Sequence, residues 1–328
     1  MIGAATYKGL ANCKYVSSSI PMPQNVSLGL YMDLYRRCFT NSVYPMTIKA
    51  VDICCHKPRL NGSKSWRHTH TMSIPFTFGI ITSEGSQQFL KEIVDSIRIQ
   101  AIPTYEIIIV GWTASTVSIE GCKRIAFDES VKPGWITRKK NLIFREAAYE
   151  NIVVMHDYVS LQPGWYEGFL RHGDSFQLCI NPIQTVDGRR FRDYVLFNQF
   201  LHQRFSNKTL LPYDCKVSPK VSRIMYVSGT YYVVKKELAL KYPLREQLAH
   251  NQGEDVIFCH DIERPEIQCN RHSSVRLLKH KPSWENEMSQ EDYQALEIWA
   301  HMYGEEVFQK QRAFQRNWLA RDFGIILP

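Results

Sequence analysis

The segment from Asn151 to Trp165 constrains this chain more than any other. Its first part, Ile152-Val153-Val154-Met155, is a short β-branched apolar run that reads as a buried strand. The run stops abruptly at His156 and Asp157, and Pro163-Gly164 then turns the chain. In open α/β sheets, ligands bind just beyond the carboxyl ends of the strands. A carboxylate placed there either caps the following turn or holds a divalent cation against phosphate oxygens, because hard cations take oxygen ligands.

The flanking sequence extends the pattern. Phe76–Ile81 reads as a buried strand, and Thr82-Ser83-Glu84-Gly85-Ser86 as a turn and helix cap. Phe89, Ile93, Val94 and Ile97 recur at helical spacing. Pro103 stops that helix, Tyr105–Val110 is a second apolar strand, and Arg124–Phe127 is a third. A basic segment and a helix from Lys139 to Tyr149 lead into the Ile152 strand. This β-α-β-β-α-β order predicts an α/β fold with a mainly parallel, mixed sheet covered by helices. Glu291–Gln315 predicts one or two helices on the domain edge. Residues 1–72 are irregular, with a helix expected over Ser27–Cys38 and a strand over Met46–Cys54. The expected divisions are an N-terminal arm (1–72), an α/β domain (73–284) and a C-terminal helical extension (285–328).

The formal charge of +8 points to an anionic ligand, but the cations are spread along the chain. That distribution does not favour nucleic acid, and a nucleotide diphosphate satisfies it with few residues. No run of about 18 apolar residues is present, so no membrane span is expected. Nine cysteines at irregular spacings argue against a disulfide framework and for a reducing, cytoplasmic setting. Cys54, Cys55, His56, His68 and His70 lack the spaced pairs of a zinc site.

Several short motifs follow one another in a fixed order. They are Gly79-Ile-Ile-Thr-Ser-Glu84, Asp95-Ser-Ile-Arg-Ile-Gln100, Tyr105-Glu-Ile-Ile-Ile-Val110 and Arg138-Lys-Lys-Asn141. His156-Asp157-Tyr158, the strand Met225–Lys235 and Gln252-Gly-Glu-Asp-Val256 come next, and Val275–Pro282 ends the series. Together they resemble the nucleotide-sugar-binding glycosyltransferases of the GT-A fold, specifically family-2-like members, from Phe76 to His280. The resemblance implies a donor site of Thr82, Glu84, Trp112, Lys139, Lys140, Asn141, His156 and Asp157. It implies a catalytic base at Asp255 with Glu254 beside it, an acceptor-side strand containing Tyr231, and a divalent metal (Mn2+ or Mg2+) on Asp157 and His280. Tyr158 stands where the family usually has its metal-ligating Asp, which leaves metal dependence in doubt. Gly111-Trp112 stands where relatives place an Asp that reads the nucleobase; Trp112 either stacks on a base or packs in the core.

Sugar transfer needs charge stabilisation of the diphosphate, a base for the acceptor hydroxyl, and alignment of the two. One base and one displacement imply inversion. Arg190 and Arg192, in a run of three arginines around Gly188, either bind the acceptor or form surface ion pairs. Trp165 offers a flat face for a sugar ring or packs as core. The acceptor class, a glycan, lipid-linked or protein hydroxyl, stays open. The alternative is a catalytically silent relative that binds a nucleotide sugar or glycan. Docking, partner binding and a homo-oligomer interface are all open uses for residues 1–72.

Overall fold

The structure is a computed structural model that describes residues 73–83, 87–111, 119–197, 200–201, 205, 208–248, 252–263 and 266–325. Residues 1–72, with their expected helix, strand and Cys/His cluster, lie outside the described residues, as do Glu84 and Trp112.

The strands predicted from apolar runs form in the expected order: β1 (Phe76–Ile81), β2 (Tyr105–Gly111), β3 (Lys123–Ala126) and β4 (Asn151–His156). Two helices connect them, α1 (Leu90–Arg98) between β1 and β2 and α2 (Ile136–Glu146) between β3 and β4. β1 lies between β2 and β4 and runs parallel to both, while β3 pairs parallel with β2. β1 is buried along its whole length, as a strand covered on both faces must be. α2 begins three residues before the predicted start, so Trp135 and Ile136 join the helix entry. It packs on β1 where Gly79 leaves room, since a Cβ at Gly79 would collide with Ile143.

After β5 (Val159–Leu161), α3 (Trp165–His172) and β6 (Leu178–Ile180), the chain runs through β7 (Ile183–Gln184) and β8 (Val195–Leu196). It continues through α4 (Pro219–Ser222) and β9 (Met225–Tyr226) to β10 (Tyr231–Lys235) and α5 (Lys236–Lys241). Then come α6 (Glu254–Asp261), β11 (Ile267–Cys269), β12 (Val275–Leu277) and α7 (Gln290–Phe323). Among the described residues the main sheet has seven strands in the order β11-β6-β10-β4-β1-β2-β3. β10 runs antiparallel to both of its neighbours, so its first residues meet the carboxyl end of β4. A smaller sheet, β5-β12-β7, lies beside it.

Apolar side chains fill both faces of the main sheet. One cluster joins α2, α6 and the underside, and it includes Tyr293, Leu296, Ala300 and Val307 of α7, so that helix shares the core. The other gathers Phe76, Phe78, Trp165 and Phe169, with the Trp165 and Phe169 rings 4.5 Å apart. A buried polar ring closes around this second cluster. Trp165 Nε1 donates to Tyr231 Oη (2.9 Å), which donates to Asn181 Oδ1 (2.7 Å). Asn181 Nδ2 donates to the Asn270 carbonyl, Asn270 Nδ2 to Ser273 Oγ, and Ser273 Oγ to the Trp165 carbonyl. Every member is satisfied, so the ring fixes α3, β6, β10 and the β11–β12 connection against one another. No described helix is long and apolar enough to cross a membrane.

Candidate active site

The carboxyl edge of the main sheet forms a cleft because three chain segments end there in polar residues. β1 runs out into Thr82 and Ser83, and β4 into His156 and Asp157. The turn before β10 supplies Ser228, Gly229 and Thr230. Backbone bonds lock these ends together: Asp157 N–H donates to the Ile81 carbonyl (3.2 Å) and His156 N–H to the Thr230 carbonyl (3.1 Å).

On one side lies a cavity of about 510 Å³ bounded by Thr82, Phe89, Gly134, Lys139, Asp157 and Lys279. His156 and Tyr158 also line it, their rings 5.3 Å apart. Asp157 accepts from the Thr82 hydroxyl (2.6 Å) and from the Ser83 backbone N–H. Burial nevertheless raises its pKa, against the opposing effects of those donors and of Lys139. Lys139 donates to the Thr82 carbonyl (2.6 Å) and to Ser83 Oγ (3.0 Å), and pairs with Glu129. Burial pulls its ammonium down to about 8, with Asp157 working the other way.

On the other side, α6 begins after Gly253, which sits at φ 69°, a left-handed conformation that glycine adopts without strain. Glu254 and Asp255 occupy its first turn and are both buried. Asp255 Oδ2 accepts from Gly229 N–H (2.8 Å), and Oδ1 from Val256 N–H (2.9 Å). Its pKa is pushed up to about 6, first by burial and then by Glu254, while Arg192, the Gly229 N–H and Lys140 oppose the shift. A carboxylate so poised ionises just below neutral pH, which suits a general base. Tyr158 marks the boundary between the two sides: its hydroxyl bonds Thr230, and it lies within electrostatic reach of Asp157, Glu254 and Arg192.

The expected site residues thus divide. Thr82, Lys139, His156 and Asp157 line one cavity, and Asp255, Glu254 and Arg192 meet beside it. Lys140 and Asn141 depart from the donor role expected of them, because successive residues of a helix point in different directions. Lys140 is buried and donates to the Gly229 carbonyl (2.9 Å) and to Glu254 Oε1 (3.3 Å). Asn141 instead ties α2 to Leu244, accepting from its N–H (2.9 Å) and donating to its carbonyl (2.8 Å). Trp165 and Tyr231 have no accessible face and belong to the buried ring, so neither serves an acceptor. Arg190 is held by Asp193 (2.7 Å) and Glu287 (3.1 Å) and stacks on Tyr213, leaving only Arg192 of the expected pair at the cleft. His280 is exposed, one residue beyond Lys279 on the cavity rim.

Three residues here escaped the sequence reading: Lys279, Lys281 and Gly229. The first two flank His280 at the end of β12, and the signal was the alternation of basic residues around it. Gly229 lies so close to the acidic pair that an added Cβ would stand 2.8 Å from Glu254 Oε1 and 3.0 Å from Asp255 Oδ2. Gly229→Ala is therefore expected to move Asp255 and lower kcat by roughly 10²-fold, the scale of a 1 Å misplacement. The change should cost only about 1–3 kcal/mol of stability. Steady-state kinetics beside urea unfolding checks it.

The described residues do not fit a divalent metal. Among them Asp157 is the one carboxylate lining the cavity; it already accepts from Thr82 and Ser83, and the ammonium groups of Lys139 and Lys279 line the same space. Among the described residues, no three His, Cys, Asp or Glu side chains gather as a metal site.

No protein-family model and no curated protein matches this chain. Among solved structures it is similar to GalNAc-T7 with UDP, GalNAc and Mn2+, at 11% identity and a TM-score of 0.49, over 66% of this chain and 46% of that one. It is also similar to S. aureus TarS 1–349, at 13% identity and a TM-score of 0.42, over 62% of this chain and 60% of that one. A second S. aureus TarS structure aligns at 13% identity and a TM-score of 0.43, over 77% of this chain and 44% of that one. The chain thus spans 44–60% of the length of these proteins. GalNAc-T7 and TarS are glycosyltransferases of the GT-A type, the class whose motifs the sequence resembles. Likenesses this distant transfer no residue's role and no activity.

Proposed function

We propose that this chain is a glycosyltransferase that moves a sugar from a nucleoside-diphosphate donor to an acceptor hydroxyl with inversion. The observation that carries the reading is the pairing of a basic cavity at the carboxyl ends of β1 and β4 with a buried carboxylate of raised pKa beside it. The cavity accommodates a nucleoside diphosphate, and its cations match two phosphates. Asp255, held by Gly229 N–H and by its own helix, takes the acceptor proton as the acceptor oxygen bonds to the anomeric carbon. The anomeric carbon–oxygen bond breaks on the opposite side, and its electron pair leaves on the diphosphate. One displacement with one base inverts the centre. Lys140, bridging the Gly229 carbonyl and Glu254, holds the acidic pair in place. The acceptor is a glycan, lipid-linked or protein hydroxyl.

A thermal-shift screen of nucleotide sugars, followed by hydrolysis assays, tests this reading. A ligand at 100 times its Kd should stabilise the fold by about 2.7 kcal/mol. The expected result is stabilisation by one donor class, with slow release of free sugar that Asp255→Asn abolishes. Stabilisation without turnover, even with a panel of acceptors, would favour a silent nucleotide-sugar binder. Indifference to every nucleotide sugar and every nucleoside diphosphate would sink the proposal.

A further inference from the structure

Lys279 and Lys281 follow β12 and both reach one aromatic ring. Their Nζ atoms lie 6.0 Å and 5.5 Å from the centroid of Tyr158. Among the described residues, neither ammonium makes an ion pair or a hydrogen bond. They are close enough to Arg192 and to each other that both Lys279 and Arg192 disfavour the charge on Lys281, after burial itself. Lys279 lines the 510 Å³ cavity, and Arg192 reaches toward Asp255. Three cations therefore line the path from the cavity to the base, around a ring whose face attracts cations.

The charges of the described residues nearby neutralise them only in part. Glu129 is matched by Lys139, and Glu254 by Lys140. That leaves Asp157 and Asp255 opposite Lys279, Lys281 and Arg192, with Lys139 also acting on Asp157. Like charges held together with too few counter-ions repel, and the gathering becomes more favourable when an anion enters. A dication would meet the opposite situation, because the sole carboxylate among the described residues of the cavity is already hydrogen-bonded and shares its space with ammonium groups.

We infer that Lys279, Lys281 and Arg192 form a cationic clamp that takes the leaving diphosphate, a role a divalent ion on Asp157 would otherwise fill. The inference rests on the nucleotide-sugar reading above. As the anomeric carbon–oxygen bond breaks, negative charge develops on the diphosphate oxygen that receives the electron pair. Fixed cations beside that oxygen stabilise the transition state more than the ground state. No proton need move to the leaving group, and the acceptor proton goes to Asp255. Tyr158 acts as a positioning residue, its ring within 6.0 Å of both ammonium groups.

The test is calorimetric titration of UDP and of inorganic pyrophosphate into the full chain, with EDTA or with Mn2+. Three variants accompany the wild type: Lys279→Gln with Lys281→Gln, Asp157→Asn, and Tyr158→Leu. The clamp predicts binding in EDTA that Mn2+ does not improve. The double Gln variant should bind at least about 10-fold more weakly, as expected for lost charge-assisted contacts. Both lysines lie at a partly exposed strand end, and an unchanged Tm would confirm that the variant is folded. Asp157→Asn should bind as well as the wild type or better, since a negative charge is removed, whereas a metal site would lose its ligand. Tyr158→Leu should weaken pyrophosphate binding less than the double Gln change. A requirement for Mn2+, or loss of binding in Asp157→Asn, would overturn the clamp and leave the glycosyltransferase reading standing. If the wild type binds neither probe under either condition, both fall together.

Discussion

Asp255→Asn is expected to abolish turnover and stabilise the protein in the same substitution. Loss of a general base lowers kcat by roughly 10²–10⁴-fold. The stability effect follows from the carboxyl group's raised pKa, which stands at about 6 in the folded chain against an ordinary 3.8. Between these values the folded state binds a proton that the unfolded state has released, so stability falls as pH rises through the window. Above about pH 6 the wild type carries the whole destabilisation, at most about 3 kcal/mol when each pKa unit is worth 1.36 kcal/mol. Asn keeps an acceptor for Gly229 N–H and carries no charge to bury, while giving up the acceptor for Val256 N–H offsets about 1 kcal/mol of the gain. The variant should therefore melt higher than the wild type at pH 7.5, and the two should converge near pH 4. The activity of the wild type should have an acid limb near pH 6. Equal melting temperatures at pH 7.5, or an acid limb far from 6, would remove Asp255 from the role of buried base.

Trp165→Ala carries the second large effect, and here the loss is in folding. The indole is fully buried, its ring centroid lies 5.0 Å from that of Phe76, and Nε1 donates to Tyr231. Truncating a buried Trp costs about 3–5 kcal/mol through lost burial and the cavity left behind. Trp165→Phe keeps most of the volume but strips the Tyr231 hydroxyl of its donor, for roughly 1–3 kcal/mol. Urea midpoints should rank wild type, Phe and Ala in that order. The folded fraction of each should keep the wild-type KM for acceptor. A raised KM with an unchanged urea midpoint would restore Trp165 to the acceptor site.

β1 and β4, whose ends carry the site, were legible because burial on both faces leaves an unmistakable apolar run, as in Phe76–Ile81 and Ile152–Met155. The placement of Asp157 at a strand end was legible from the apolar run itself, whereas Asp255 was picked out only by the resemblance. What could not be read was direction. Lys139, Lys140 and Asn141 are adjacent in sequence, yet the first faces the cavity, the second the acidic pair and the third the Leu244 loop. The sequence also offers no way to tell a sugar-stacking indole from a core one, and Trp165 is core because β10 brings Tyr231 against it. Lys279 and Lys281 were overlooked for a similar reason. Only the pairing of β12 with β5 sets them beside Tyr158.

The placement of β10 also governs how the chain emerges during synthesis. β1 through β4 can pair as soon as they are made, but β4 then stands at the margin of the nascent sheet with an unpaired row of backbone groups. β6 has no partner in that sheet until β10 arrives to join them. At roughly 5–20 residues per second, the interval between translating β4 and β10 lasts on the order of seconds. Throughout it, Ile152-Val153-Val154-Met155 is an apolar strand edge able to pair with another chain. A ribosome stalled between these two strands would release a fragment prone to aggregate, and a chaperone would be needed most during that interval.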